Sequence, residues 1–215
     1  MHCAADLDTR ANNSLDSVDT ALDRAADRGQ VVELYAHNPG TTVPVSTIEH
    51  VLAGAHDRGL RFVTYAELAA GGVTGPGIAL SFDDTFIAAW SELRPMFTAY
   101  GARVTFFVSR YGVLSPALHA QLHELAGDGH EVAAHTVLHQ RGPDYVEQYG
   151  LAAYLAEEVL PSIQVLRDEG FEVTSFAYPF GARTAETDDA ILAHVPIIRS
   201  VAFSYHGAVA SPCPH

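Results

Sequence analysis

The sequence predicts an α/β protein built on a mainly parallel sheet, and three observations carry that reading. A helical stretch, then Gly, then an apolar strand recurs five times along the 215 residues. The run Ile78-Ala79-Leu80-Ser81-Phe82 reads as a strand buried on both faces, the pattern of parallel sheets. The residues best suited to chemistry fall just beyond the strands, at the ends where barrels and open α/β sheets place their sites.

Taken in order, the repeating units are Gly29 before a strand at 31–35, Gly59 before 61–64, Gly101 before 103–108, Gly129 before 131–134, and Gly170 before 171–176. Glycine just past a helix ends it in a left-handed conformation without steric cost. Repeated helix-to-strand crossovers of this kind imply parallel pairing. Adding 78–82 and 197–203 gives seven strands. Helices are predicted over 14–28, 46–58, 86–100, 115–127, 145–168 and 185–194. Ser46-Thr47-Ile48-Glu49 has capping-box spacing, and Ser115-Pro116 puts proline at a first helical position. Seven parallel strands fit a closed barrel or an open doubly wound sheet, and periodicity does not separate the two. No linker, charge block or low-complexity segment interrupts 1–215, so one domain is expected.

With 48% hydrophobic residues the chain is long enough for one sizeable core. Twelve Lys+Arg against 26 Asp+Glu give a net charge of −14, which repels phosphate backbones and disfavours nucleic acid and polyanionic sugars. Neutral or cationic substrates are not disfavoured. No apolar stretch approaches the ~20 residues of a membrane helix. Met1-His2-Cys3-Ala4-Ala5-Asp6 lacks both a basic and an apolar leader region, so an export signal is not expected within this sequence. Cys3 and Cys213 are either two idle thiols or one bridge between the ends, which would indicate an oxidising compartment.

Asp83 and Asp84 follow the 78–82 run directly. Two carboxylates this close resist joint ionisation unless something compensates them. A bound cation would do so, one acid holding it while the other stays free to take a proton. The plainer alternative is that Asp84 caps a helix beginning near Phe86. His135 and His139, four apart beyond another strand, can face one metal. No Glu follows His135, so this is not the helical metalloprotease motif. Joined to Asp84, the two imidazoles make the open three-ligand set of catalytic zinc. Non-haem iron uses the same set, but the α/β reading favours redox-inert hydrolysis. His37, Ser109-Arg110 and Tyr178-Pro179-Phe180-Gly181 also stand at strand ends. His50, His56, His119 and His123 lie within helices and read as ordinary surface residues.

On these residues the chain resembles the polysaccharide deacetylases of carbohydrate esterase family 4, the NodB homology domain. Ser81-Phe82-Asp83-Asp84 resembles the family's T/S-F-D-D motif, and His135 to His139 its H-S/T-x-x-H. Ala177-Tyr178-Pro179-Phe180-Gly181 is similar to its Tyr-Pro-Tyr-Gly motif, and Leu34-Tyr35-Ala36-His37 to L-x-x-H. The resemblance covers roughly 15–205. Thr85 replaces the usual Gly, Phe180 the frequent Tyr, and Ala177 the Arg that steadies the base; Arg103, Arg110, Arg183 and Arg199 are the candidate substitutes. L-x-x-H comes first here, whereas most members place it last; a group of exopolysaccharide deacetylases has this rotated order, and circular permutation would produce it.

The resemblance implies a distorted (β/α)7 barrel holding one divalent metal, usually zinc, with cobalt a substitute. It implies Asp84, His135 and His139 as ligands, Asp83 as general base and His37 as general acid. Backbone near Phe180, with Tyr178 and Pro179 of the same motif, would form the oxyanion and substrate site. The implied reaction removes N-acetyl groups from an amino-sugar polymer of chitin, poly-N-acetylglucosamine or peptidoglycan type, in an extracellular or periplasmic setting. Acetylxylan, a small cyclic amide, or a catalytically silent carbohydrate-binding domain are the alternatives. Retention of both Asp83 and His37 argues against silence.

Overall fold

The structure is a computed structural model and describes residues 1–202. Eight parallel strands form one sheet: β1 (His2–Asp6), β2 (Val31–Ala36), β3 (Arg61–Phe62), β4 (Gly77–Asp84), β5 (Thr105–Val108), β6 (Glu131–Ala134), β7 (Ser175–Ala177) and β8 (Ile197–Val201). β2 pairs with both β1 and β4, and β1 with β8, so β1-β2-β4-β5-β6-β7-β8 closes into a seven-strand ring. The open-sheet alternative is thereby excluded. β3 contributes two residues alongside the start of β4, outside the ring. The β6–β7 seam rests on the single register pair Ala134↔Phe176, which makes the barrel a distorted one.

The strand absent from the sequence reading is β1, the element that closes the barrel. The predicted 61–64 strand shortens to two residues, followed by a helix, α3 (Tyr65–Ala70), that Thr64 and Glu67 start with a reciprocal capping box. The 171–176 strand begins only at Ser175, where β8 first offers a partner. Phe203 and Cys213 lie outside the described residues, so the end of the 197–203 strand and the Cys3–Cys213 alternative do too.

The helices cover the outside of the ring: α1 (Leu15–Arg28), α2 (Val45–Asp57), α4 (Ile87–Glu92), α5 (Arg94–Tyr100), α6 (Pro116–Gly127), α7 (Gly142–Tyr149), α8 (Leu151–Tyr154), α9 (Leu160–Asp168) and α10 (Ala185–Leu192). Gly29, Gly59, Gly101, Gly129 and Gly170 all have φ between 61° and 92°, the left-handed stops expected of them. Ser115 caps α6 ahead of Pro116. The Ser46 capping box does not form: the helix starts one residue early, at Val45, behind Pro44. The helix expected over 145–168 is broken twice. Gly150 (φ 87°, ψ 157°) separates α7 from α8, and a wide π turn at Leu155–Val159 precedes α9. Pro161 explains the second break, since its ring and missing N–H disrupt the regular ladder just upstream.

Strand alternation divides the side chains between two cores. Ile78, Leu80, Phe82, Phe106, Val132, Phe176 and Ile198 point outward and pack against Leu22, Ile48, Trp90, Phe97, Leu122 and Leu166 of the helices. The inward residues Ala79, Phe107, Ala133, Ala177 and Ile197 fill the barrel above Tyr65 of α3, which plugs its lower end. Below them Glu131 accepts from Thr105 Oγ1 (2.7 Å), Ser175 Oγ (2.6 Å) and the Ala66 amide (2.9 Å). Above them the same inward rows run on to Asp83, Arg199, Tyr35 and His135.

Candidate active site and metal centre

Alternation aims Asp83 into the barrel with Ala79 and Ser81, and on that rule Asp84 would point away. Asp84 has φ 87°, however, a left-handed backbone that turns its side chain back toward the mouth. There Asp84 Oδ1 lies 3.0 Å from His139 Nε2 and 3.6 Å from His135 Nε2. Asp84 does not cap a helix: α4 begins at Ile87 behind Phe86, with no side-chain cap.

The two histidines come from one excursion beyond β6. His135 stays on the inward row and is buried; its Nδ1 donates to Ala177 O at 2.8 Å, which leaves the Nε2 lone pair facing Asp84. Burial pushes this imidazole down to about 4, so it is neutral at neutral pH. Thr136 and His139 take φ of 66° and 62°, folding the chain so that the two rings meet 5.0 Å apart. Burial works to raise the Asp84 carboxyl, but the His139 contact and the electrostatic pull of the two imidazoles outweigh it and hold it below the usual carboxylate range.

The ligand atoms of Asp84, His135 and His139 lie within 4.8 Å of one another. Asp84 Oδ1 is buried and makes no hydrogen bond among the described residues, despite the nearby nitrogens. An orphaned carboxylate oxygen facing two imidazole nitrogens is the donor set of a tetrahedral cation with one position open. The residues fit a divalent metal.

Asp83 is held differently. Its Oδ2 accepts from Arg199 Nη2 at 2.5 Å, while its Oδ1 is buried without a hydrogen bond. Arg199 is fully buried on β8, its guanidinium lying 4.8 Å from the Tyr35 ring and 5.0 Å from that of Phe107. Of the four candidate arginines, Arg199 is thus the one beside Asp83. Arg103 pairs with Glu67 and Arg183 with Asp188, and Arg110 is exposed.

His37 follows β2, on the inward row after Glu33 and Tyr35. Its Nδ1 donates to Asp8 Oδ2 at 2.7 Å, and its amide to Asp8 Oδ1. Thr42 Oγ1 donates to the same carboxylate, and Trp90 Nε1 donates to His37 O at 2.8 Å, tying the outer core to the site. Burial works against the imidazolium, but the Asp8 hydrogen bond and the negative Asp83, Asp8 and Asp84 outweigh it and raise the His37 pKa above its ordinary value. Nε2 faces the mouth, where Arg10 Nη2 stands 3.5 Å away. Asp6, Asp8 and His37 also form a cluster of possible ligands. Arg10 lies within 3.7 Å of both carboxylates, so that cluster already holds its counter-charge.

Of the Tyr178-Pro179-Phe180 set, only Phe180 reaches the surface. It is 65% exposed and its ring stands 4.8 Å from that of His139. The Tyr178 side chain is buried in the outer core, its hydroxyl donating to Asp188, and Pro179 is buried at the start of a tight turn. Gly181 is required there: at φ 64°, a Cβ would collide with Val201 Cγ2.

Asp8 escaped the sequence reading because it follows the unread strand β1 and lies 29 residues from His37. The signal was the two-residue spacing of Asp6 and Asp8, which puts both on one face.

The fold is similar to that of three solved proteins, two of them deacetylases. IcaB from Ammonifex degensii matches with a TM-score of 0.63 and 19% identity, over 81% of this chain and 91% of that one. The deacetylase PplD of Streptococcus pyogenes, solved with acetate, matches at 0.60 and 18%, over 85% and 93%. The deacetylase domain of BpsB from Bordetella bronchiseptica matches at 0.53 and 18%, over 70% and 82%. A gellan lyase from Bacillus sp is 30% identical over 105 residues, 48% of this chain but only 4% of that protein. The polysaccharide deacetylase family model matches residues 70–194, which include Asp83, Asp84, His135, His139 and the Tyr178-Pro179-Phe180 turn but not His37. With more than half of its length matched by that model, the chain belongs to the polysaccharide deacetylase family.

Proposed function

We propose that the chain is a metal-dependent hydrolase that removes N-acetyl groups from an amino-sugar polymer of chitin, poly-N-acetylglucosamine or peptidoglycan type. One divalent ion, zinc or its substitute cobalt, is held by Asp84, His135 and His139. The observation that carries the reading is the placing of two differently prepared groups beside that ligand set. Asp83 keeps one oxygen on Arg199 and the other without a partner, and His37 is held by Asp8 with a raised pKa.

When bound, the metal supplies Lewis acidity, polarising the acetyl carbonyl and acidifying water beside it. Asp83 Oδ1 accepts the proton of the attacking water; Arg199 keeps the other oxygen fixed, so the base has one direction in which to act. His37, protonated, donates from Nε2 to the departing amine nitrogen, while Asp8 holds the opposite ring nitrogen and stabilises the imidazolium. An amine leaves far more readily once protonated, which is why an acid with a raised pKa suits an amide substrate. The Phe180 turn supplies backbone beside the carbonyl oxygen, and its exposed ring an apolar face for a sugar. The acidic surface is compatible with a neutral or partly deacetylated, cationic polymer. No helix among the described residues is long and apolar enough to cross a membrane. An extracellular or periplasmic setting, where such polymers occur, is part of the proposal.

Acetate release from chitooligosaccharides, poly-N-acetylglucosamine, peptidoglycan and acetylxylan, with and without a strong chelator, tests it. Chelator-sensitive release from an amino-sugar polymer is expected. Release from acetylxylan alone would replace the substrate class, and binding without release would leave a silent carbohydrate-binding domain.

A further inference from the structure

The chain between the two histidine ligands is an excursion with left-handed residues at Thr136 and His139. Such conformations persist only where the surrounding structure holds them in place. One residue from a distant helix takes up two successive amides of this loop. Glu158 O accepts from the Val137 amide at 3.0 Å, and Glu158 Oε2 from the Leu138 amide at 2.9 Å. Glu158 is buried, at 1% exposure, and sits in the π turn Leu155–Val159. π turns inside helices are frequent at functional sites. Two further bonds involve this loop: His139 N donates to Thr136 Oγ1 at 3.0 Å within it, and Arg110 N, from the loop after β5, donates to Val137 O at 3.1 Å.

We propose that Glu158 is a positioning residue for the metal centre, a brace that fixes the spacing of the His135 and His139 imidazoles before a metal arrives. The proposal rests on the reading of Asp84, His135 and His139 as ligands. It acts through reach: the carboxylate must extend to the Leu138 amide. Glu158→Gln keeps an oxygen at that distance. Glu158→Asp keeps the carboxyl group but is shorter by one carbon–carbon bond, about 1.5 Å. Glu158→Ala removes the acceptor.

The test measures zinc affinity by competition with a chromophoric chelator, and the visible absorption of the cobalt-loaded protein, which reports ligand geometry. Glu158→Asp and Glu158→Ala are expected to bind zinc about 10- to 100-fold more weakly, the usual scale for losing support behind a ligand, with an altered cobalt spectrum. Glu158→Gln is expected to match the wild type in both. If Glu158→Ala does not fold, the Asp and Gln variants decide the matter. Folded Asp and Ala variants with wild-type affinity and spectrum would overturn the brace alone. A wild type that binds no zinc, or whose affinity survives His139→Ala, would overturn the ligand reading and the brace with it.

Discussion

The barrel holds carboxylates at both ends of its interior, and the two ends treat them oppositely. At the floor, Glu131 receives hydrogen bonds on both oxygens, from Ser175 on one and from Thr105 and the Ala66 amide on the other. Nearby Glu33 accepts from Tyr65 Oη at 2.9 Å and contacts His2 Nδ1 at 2.6 Å. At the mouth, one oxygen each of Asp6, Asp83 and Asp84 is buried without a hydrogen bond; among the described residues these are the orphaned carboxylate oxygens. Two nitrogens of Arg199 are orphaned as well. Each unmet group costs about 1–3 kcal/mol. Among the described residues the floor carboxylate of Glu131 is thus met on both oxygens, whereas each of these mouth carboxylates keeps one oxygen unbonded. The proposed function gives two of these oxygens a task, Asp84 Oδ1 toward a cation and Asp83 Oδ1 toward a proton, while Asp6 Oδ2 faces Arg10.

Backbone strain follows the same division. Among the described residues six non-glycine residues have positive φ, and Asp84, Arg110, Thr136, His139 and Phe180 lie at or beyond the carboxyl ends of the strands. The sixth, Asn12, ends a short 3-10 turn.

The largest change expected at the mouth is loss of Arg199. Arg199→Met strands the buried Asp83 charge and should destabilise the fold by about 3–5 kcal/mol, read as a lowered denaturation midpoint, with turnover falling too. Next, His37→Ala should lower turnover on an N-acetyl substrate at least ~100-fold while metal content stays unchanged, as measured by elemental analysis. Glu131→Ala examines the floor: three donors lose their acceptor, so stability should fall by about 1–3 kcal/mol with metal content and turnover per folded molecule intact. A Glu131 variant that is stable yet inactive would break the comparison. The smallest change is a shift of pH profile. The proposal has His37 act while protonated, and its pKa is raised, so activity is expected below that pKa and its loss as pH rises through it. Asp8→Asn removes the main support of the charge, so the alkaline limb of kcat/KM should move to lower pH; an unmoved limb would show that Asp8 does not set it.

The two ends were also unequally legible in the sequence. The mouth could be read because strand ends carry its residues: Asp83, Asp84, His37, His135 and His139 all stand where the strands give out. What joins them could not. Arg199 was one of four candidates, and Asp83 lies 116 residues from it. β1 went unread because His2, Cys3, Ala4, Ala5 and Asp6 carry none of the β-branched or aromatic residues that mark a strand. That strand is held by β2 and β8 on either side, a tertiary fact with no local signature. Losing it left barrel and open sheet indistinguishable from periodicity and hid Asp8. The apolar pattern predicts one helix over 145–168, but Gly150 and Pro161 break it, and the second break is the turn that carries Glu158. The floor gave no signal, because Glu131, Thr105 and Ser175 become one site only when β5, β6 and β7 pair.

The central claim is a division of labour between two adjacent acids, Asp84 holding the metal and Asp83 left free for the proton. Zinc content of the purified wild type, Asp83→Asn and Asp84→Asn tests it most directly. About one equivalent is predicted in the wild type and in Asp83→Asn, with turnover in the latter reduced at least ~100-fold. Asp84→Asn should lose its zinc and regain part of its activity at high zinc concentration. An Asp83→Asn protein without metal, beside an Asp84→Asn protein that keeps it, would contradict the account.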